Sequence, residues 1–210
     1  ERRRLGVVMT GPRDAVTWQG ADAQRAPVDF YDLKGIVESL VEGLHLANVA
    51  YTASDNPLFH PGRGAALTID AQAVGVFGAL HPVLRDAARF DLPAQAVLLG
   101  EFDLDALLAR VTSMYKVQAL SRYPAVAQDL ALIVDENVAA DRAQSLIEQT
   151  GGALLQRVVL FDVYRGDQVE KGKKSLAYAL TFQAEDRTLS DSDVSQVREK
   201  IVARLKREIG

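Results

Sequence analysis

The hydrophobic pattern of the chain changes period several times. From Arg4 to Thr10, Leu5, Val7 and Met9 alternate with smaller or polar residues and stop at Gly11-Pro12, which predicts a strand over residues 4–10. Residues 28–44 switch to helical spacing. Leu33, Ile36, Val37, Leu40, Val41 and Leu44 form one stripe, with Lys34, Glu38 and Glu42 outside it. Asp29 or Asp32 caps the start of this helix, and Gly43 sits near its end. Short strand-like runs follow at 49–51, 59–65, 66–70, 74–80 and 97–103, joined by Gly- and Pro-bearing turns. Together they predict an antiparallel sheet with the helix packed on one side. Asp103 caps a short helix through Arg110, and the aperiodic stretch 112–120 reads as a boundary between domains 1–115 and 121–210.

In the second domain, residues 129–135 alternate, with Leu130, Leu132 and Val134 on one face and Asp129, Ala131 and Ile133 on the other. Residues 137–150 read as a helix with Ala143, Leu146 and Ile147 inward, ending at Gly151-Gly152. Residues 154–182 read as a β-hairpin whose polar tip runs from Arg165 to Lys174. In its second run Leu176, Tyr178, Leu180 and Phe182 point to a core, and Ser175, Ala177, Ala179 and Thr181 point away. In the first run Val159, Phe161 and Val163 share the core face, with Asp162 and Tyr164 opposite. Ser190 caps a last helix whose apolar positions are Val194, Val197, Ile201, Leu205 and Ile209. The order β-α-β-β-α is one strand short of a ferredoxin-like fold, in which both helices cover one sheet face and leave the other open. The overall class is α+β. The small-residue side of the hairpin is the natural open face.

The chain has 210 residues, 48% hydrophobic and 25% charged, an ordinary soluble globular composition with room for two domains. No apolar run reaches the roughly 20 residues needed to span a bilayer, and no signal peptide opens the chain. The opening Glu1-Arg-Arg-Arg4 runs straight into a strand, as in a piece cut from a longer protein. The absence of cysteine excludes a disulfide framework and thiolate metal sites, and fits a cytoplasmic location. A net charge of −4 argues against binding nucleic acid by bulk positive charge, so any such contact is local. His60 and His81 each precede a proline, but three histidines in all make a poor ligand set, and no metal site is expected. Gly62-Arg-Gly64 and Gly75-Val-Phe-Gly78 lack the context of a nucleotide loop and read as turns and close strand crossings. There is no Gly-x-Ser-x-Gly elbow and no convincing carboxylate–histidine arrangement, so no catalytic residue is assigned.

Ser121-Arg-Tyr-Pro124, Asp129-Leu-Ala-Leu132, Phe161-Asp-Val-Tyr-Arg-Gly166, Lys173-Lys-Ser-Leu176 and Arg187-Thr-Leu-Ser190 resemble the C-terminal, ferredoxin-fold anticodon-binding domain of bacterial phenylalanyl-tRNA synthetase β subunits. Val28-Asp-Phe-Tyr-Asp-Leu-Lys-Gly35, Phe59-His-Pro-Gly-Arg63 and Gly75-Val-Phe-Gly-Ala-Leu-His-Pro82 resemble the catalytic-like module that precedes it. The resemblance implies part of an α2β2 ligase that joins phenylalanine to its tRNA, with ATP and magnesium used by the holoenzyme and no cofactor in this segment. It implies a class II synthetase-like sheet without the chemistry in residues 1–115, packed on the α subunit. It further implies an anticodon reader in residues 121–210. Carried over by motif, Asp162, Tyr164, Ser175 and Ala131 would line the anticodon site. Gln128 stands where the family usually has arginine, and the chain stops at Gly210 where the family continues into a final short strand.

The residue chemistry suits these roles. Tyr164 offers a ring on which an unstacked base can lie, worth about 1–3 kcal/mol. Ser175 and Asp162 can hydrogen-bond base edges, and Ala131, Ala177 and Ala179 leave room for a base to approach. Arg165, Lys171, Lys173 and Lys174 surround the hairpin tip and are candidates for phosphate contacts. Without the resemblance, the same residues describe a solvated tip and an ordinary exposed strand aromatic. Two other readings compete: a ferredoxin-like small-molecule sensor with an apolar pocket between paired domains, and an oligomerisation unit whose hairpin face is covered by protein.

Overall fold

Asp29 starts the first helix. Its carboxylate accepts from the backbone N–H groups of Tyr31 and Asp32, and the Asp32 carboxylate accepts from the Asp29 N–H at 2.7 Å. This reciprocal capping box satisfies donors that the first turn would otherwise leave open. The helix, α1, spans Phe30–Gly43 and buries Leu33, Val37 and Val41. Ile36, expected in the same stripe, is instead 45% exposed, because the buried stripe is only one residue wide at that turn. The computed structural model describes residues 1–14, 26–86, 91–93, 95–112 and 121–210.

The chain divides into two compact units, Glu1–Lys116 and Val117–Gly210. Most of the stretch expected to separate them, residues 113–120, lies outside the described residues. In the first unit the strands are β1 (Arg4–Thr10), β2 (Val49–Ala53), β3 (Phe59–Ile69), β4 (Gln72–Leu80) and β5 (Val97–Asp103). They form one antiparallel sheet in the order β1-β5-β4-β3-β2. The two runs expected at 59–65 and 66–70 are one continuous strand. A register shift between Phe59 and Gly64 absorbs the Pro and Gly residues that suggested a break. Gly78 lies opposite Gly64, and a Cβ at Gly78 would fall 2.4 Å from the Arg63 carbonyl oxygen, so only glycine permits this crossing. The core packs Leu33, Val37 and Val41 against Leu67, Ile69, Phe77, Leu98 and Phe102, with Phe30 stacked on Phe77 at 5.7 Å. Each such fully buried side chain contributes about 1.5–3 kcal/mol. His81 is used locally: its Nδ1 accepts from the Val83 N–H and caps α2 (Pro82–Arg85). Asp103 caps α3 (Leu104–Leu108) through the Ala106 N–H.

The second unit comprises β6 (Val126–Asp135), α4 (Ala140–Gly151), a 3-10 turn over Gly152–Leu154, β7 (Leu155–Tyr164), β8 (Lys173–Phe182) and α5 (Asp191–Glu208). This is the β-α-β-β-α order of the ferredoxin-like reading. The helix expected from residue 137 begins at Ala140, since the Val138 N–H is used on the Asp135 carbonyl in a turn. The antiparallel sheet runs β6-β8-β7, placing the hairpin's second strand at the centre. Leu176, Tyr178, Leu180 and Phe182 of β8 are buried with Leu130 and Val134 against Ala143, Leu146 and Ile147 of α4 and Val194, Ile201 and Leu205 of α5. The Tyr178 hydroxyl donates to the Ala140 carbonyl at 2.8 Å, tying sheet to helix, and burial pushes that phenol up to about 12. Ser190 and Asp193 form a second capping box at the start of α5. Both helices therefore occupy one side of the sheet. Among the described residues, no helix is long and apolar enough to cross a membrane.

Candidate nucleic-acid interface

The side of the second sheet away from α4 and α5 is built from every other residue of three strands. Directly opposed residues in antiparallel strands share a face, and neighbouring strands lie about 4.8 Å apart. Ser175 in β8 lies between Ile133 of β6 and Tyr164 of β7. The next row is Ala131, Ala177 and Asp162, and the one after it is Asp129, Ala179 and Val159. Asp129, Ala131, Ile133, Asp162 and Tyr164 are exposed, and Ser175, Ala177 and Ala179 are half-buried. The four residues carried over by motif, Ala131, Asp162, Tyr164 and Ser175, thus occupy two adjacent rows of one open face. A flat alanine floor is flanked by a hydroxyl, a carboxylate and an aromatic ring.

The parity of β7 differs from the sequence reading. Leu160 pairs with Tyr178 and Asp162 with Ala177, so Phe161 is an extra residue, a β-bulge. A one-residue slip exchanges the two faces of a strand. Before the bulge, Val158 and Leu160 pack against the core; after it, Val163 takes the core-side register opposite Leu176, though it stays exposed at the strand's end. Val159, expected inward with Phe161 and Val163, instead lies on the open face opposite Ala179. Phe161, at the bulge itself, is 56% exposed. The bulge is what brings Asp162 and Tyr164 to the open side although Leu160, of the same parity, is in the core.

The basic residues of the hairpin tip separate into different roles. Arg165 donates from Nε to the Glu136 carboxylate at 2.8 Å, and Lys173 pairs with Glu170 at 3.3 Å. Lys171 is exposed, with no ion-pair partner among the described residues. Lys174 corrects the grouping made from sequence. It is buried on the core side, opposite Val134, and its ammonium donates to the Glu136 carbonyl at 2.8 Å. It shares the even parity of Leu176 and Tyr178, a signal already visible in the alternation. Sequence reasoning missed Arg157. This residue lies on the open face opposite Thr181, exposed and without an ion-pair partner among the described residues. A second register shift, between Leu155 and Arg157, turns it there, and no local sequence signal marks that shift. Gln128 lies on the core side opposite Leu180, away from the open face, with a buried amide oxygen that has no hydrogen-bond partner among the described residues.

Among the described residues, no group of three or more His, Cys, Asp or Glu side chains converges as a metal site would require. The chemistry available on the open face is stacking, hydrogen bonding and a few separated charges, which is the chemistry of recognition.

Residues 121–210 match the family described as ferredoxin-fold anticodon binding domain, and residues 1–104 match the phenylalanyl tRNA synthetase beta chain CLM domain. Among curated relatives, the phenylalanine–tRNA ligase beta subunit of Clostridium acetobutylicum is 39% identical over 184 residues, covering 87% of this chain and 23% of the relative. That of Shouchella clausii is 38% identical over 211 residues, covering 100% of this chain and 25% of the relative. That of Bacillus subtilis is 35% identical over 206 residues, covering 98% and 25%. The chain spans about a quarter of the length of the curated relatives it matches.

Proposed function

The chain belongs to the phenylalanyl-tRNA synthetase β-chain family, and from that premise we propose that residues 121–210 recognise the anticodon of the phenylalanine tRNA. The observation that carries this reading is the sheet face away from α4 and α5, on which Tyr164, Ser175, Asp162 and Ala131 stand in two adjacent rows. Loop bases that are splayed from their stack are read by aromatic stacking and by hydrogen bonds to their edges. Tyr164 stacks on one base. Ser175 beside it accepts from, or donates to, that base's polar edge, and Asp162 one row away accepts from it. Ala131 and Ala177 leave the space through which the ribonucleotide reaches the sheet. Arg157, Lys171, Lys173 and Arg165 meet phosphates around the rim, each weakly, consistent with the overall negative charge.

Residues 1–115 associate with the synthetase α subunit in an α2β2 assembly, and the aminoacylation step belongs to that assembly. This segment then carries no catalytic residue; ATP, magnesium and phenylalanine are handled elsewhere in the enzyme, in the cytoplasm. The test is a fluorescence titration of the chain with the phenylalanine anticodon stem-loop and with the same stem carrying an altered anticodon. Clear preference for the cognate loop supports the reading. Equal affinity for both, abolished by salt, reduces it to general RNA attraction.

A further inference from the structure

The ring of Tyr164 packs against a residue that stands outside the two rows of the proposed site. A Cβ built on Gly166 would lie 2.4 Å from the Tyr164 hydroxyl oxygen, 2.7 Å from its Cζ and 3.3 Å from its Cε1. All three of the nearest atoms belong to Tyr164. The φ angle of Gly166 is outside the left-handed region, so the backbone there would accept an L residue. The missing side chain therefore makes room for the ring as it lies and does not serve the turn. Tyr164 remains 39% exposed, so its phenolic end folds back over the loop while part of the ring stays available to solvent.

We propose that Gly166 is a positioning residue, whose bare Cα holds the Tyr164 ring in its stacking pose. The proposal rests on the anticodon reading above and adds a residue that contacts no nucleotide. A side chain at 166 forces the tip of the ring away, since the ring is the movable partner. A stacking surface that must first swing back into place loses the advantage of preorganisation.

The experiment measures anticodon stem-loop affinity for the 210-residue chain and for Gly166→Ala, Tyr164→Ala and the double variant. Gly166→Ala is expected to weaken binding roughly 5- to 100-fold, within the span of losing one stacked base. The double variant is expected to bind no more weakly than Tyr164→Ala, because the glycine acts only through the ring. In the free chain, nuclear Overhauser contacts between the Tyr164 ring and the Gly166 α-protons are expected, and their disappearance in Gly166→Ala is a readout independent of RNA. A silent Gly166→Ala beside a damaging Tyr164→Ala overturns the positioning role alone. So does a Gly166→Ala loss that persists undiminished without the tyrosine. A silent Tyr164→Ala overturns the anticodon assignment itself, and the positioning role with it.

Discussion

The guanidinium of Arg165, just past the end of β7, reaches the Glu136 carboxylate just past the end of β6, with Nε and Nη2 both 2.8 Å from the same oxygen. Glu136 also accepts from Lys174 through its carbonyl and donates its N–H to Gly172, so one residue organises the hairpin tip. The pair is exposed on both sides, and such pairs add little to stability. Under the proposed function, the pair acts through the surface potential that an incoming phosphate would meet. Glu136→Gln is expected to free Arg165, tighten RNA binding and steepen the dependence of log affinity on log salt by about 0.7. Titrations of the stem-loop across a salt series read the slope directly. An unchanged slope would remove Arg165 from the rim.

Arg157 is expected to take the phosphate-contact role that the sequence reading gave to Lys174. Arg157→Ala is expected to lower affinity for the stem-loop and flatten the salt slope by about 0.7, with thermal unfolding unchanged. Lys174→Ala removes a buried donor from the Glu136 carbonyl, and is expected to cost about 1–3 kcal/mol of folding stability with no change in slope. Denaturant melts alongside the titrations separate the two. A flattened slope for Lys174→Ala would contradict its placement in the core.

The second capping box predicts an acid-sensitive unit. Arg187 donates two bonds to the Asp193 carboxylate, at 2.7 and 3.2 Å, and the Ser190 N–H and hydroxyl donate to it as well. Together they hold this carboxyl far below the usual carboxylate range. A carboxyl depressed in the folded state stabilises above its unfolded value, about 3.9, and loses that contribution as pH falls below it. Arg187→Ala and Asp193→Asn are each expected to raise the pH of acid unfolding of residues 121–210. In circular dichroism, identical acid midpoints for parent and variants would show the box to be irrelevant.

Much of this architecture is legible in the chain because single residues carry physical demands that neighbours cannot mask. The even positions of β8 had to be buried once Leu176, Tyr178, Leu180 and Phe182 shared a parity, and Ser190 with Asp193 spells a helix start. The open face followed from the βαββα order. What was not legible depends on pairing between strands. Phe161 and Gln156 look like ordinary strand residues, yet the register shifts at them turn Val159 and Arg157 outward, and only the partner strand determines that. Ile36 was misplaced for a related reason: a helical stripe gives direction, and the width of the groove that receives it is set by the sheet. Gly166 was visible as a letter in a motif, but its reason lies in a ring two residues away.

The central claim is that RNA is read on the open side of the β6-β8-β7 sheet. The most direct measurement is the backbone and side-chain NMR spectrum of the labelled chain during titration with the phenylalanine anticodon stem-loop. The account predicts the largest shifts at Ala131, Ile133, Asp162, Tyr164, Ser175 and Ala177, with α4 and the outer positions of α5 nearly still. Shifts concentrated on α4 and α5, with the resonances of Tyr164 and Ser175 unmoved at saturation, would contradict it.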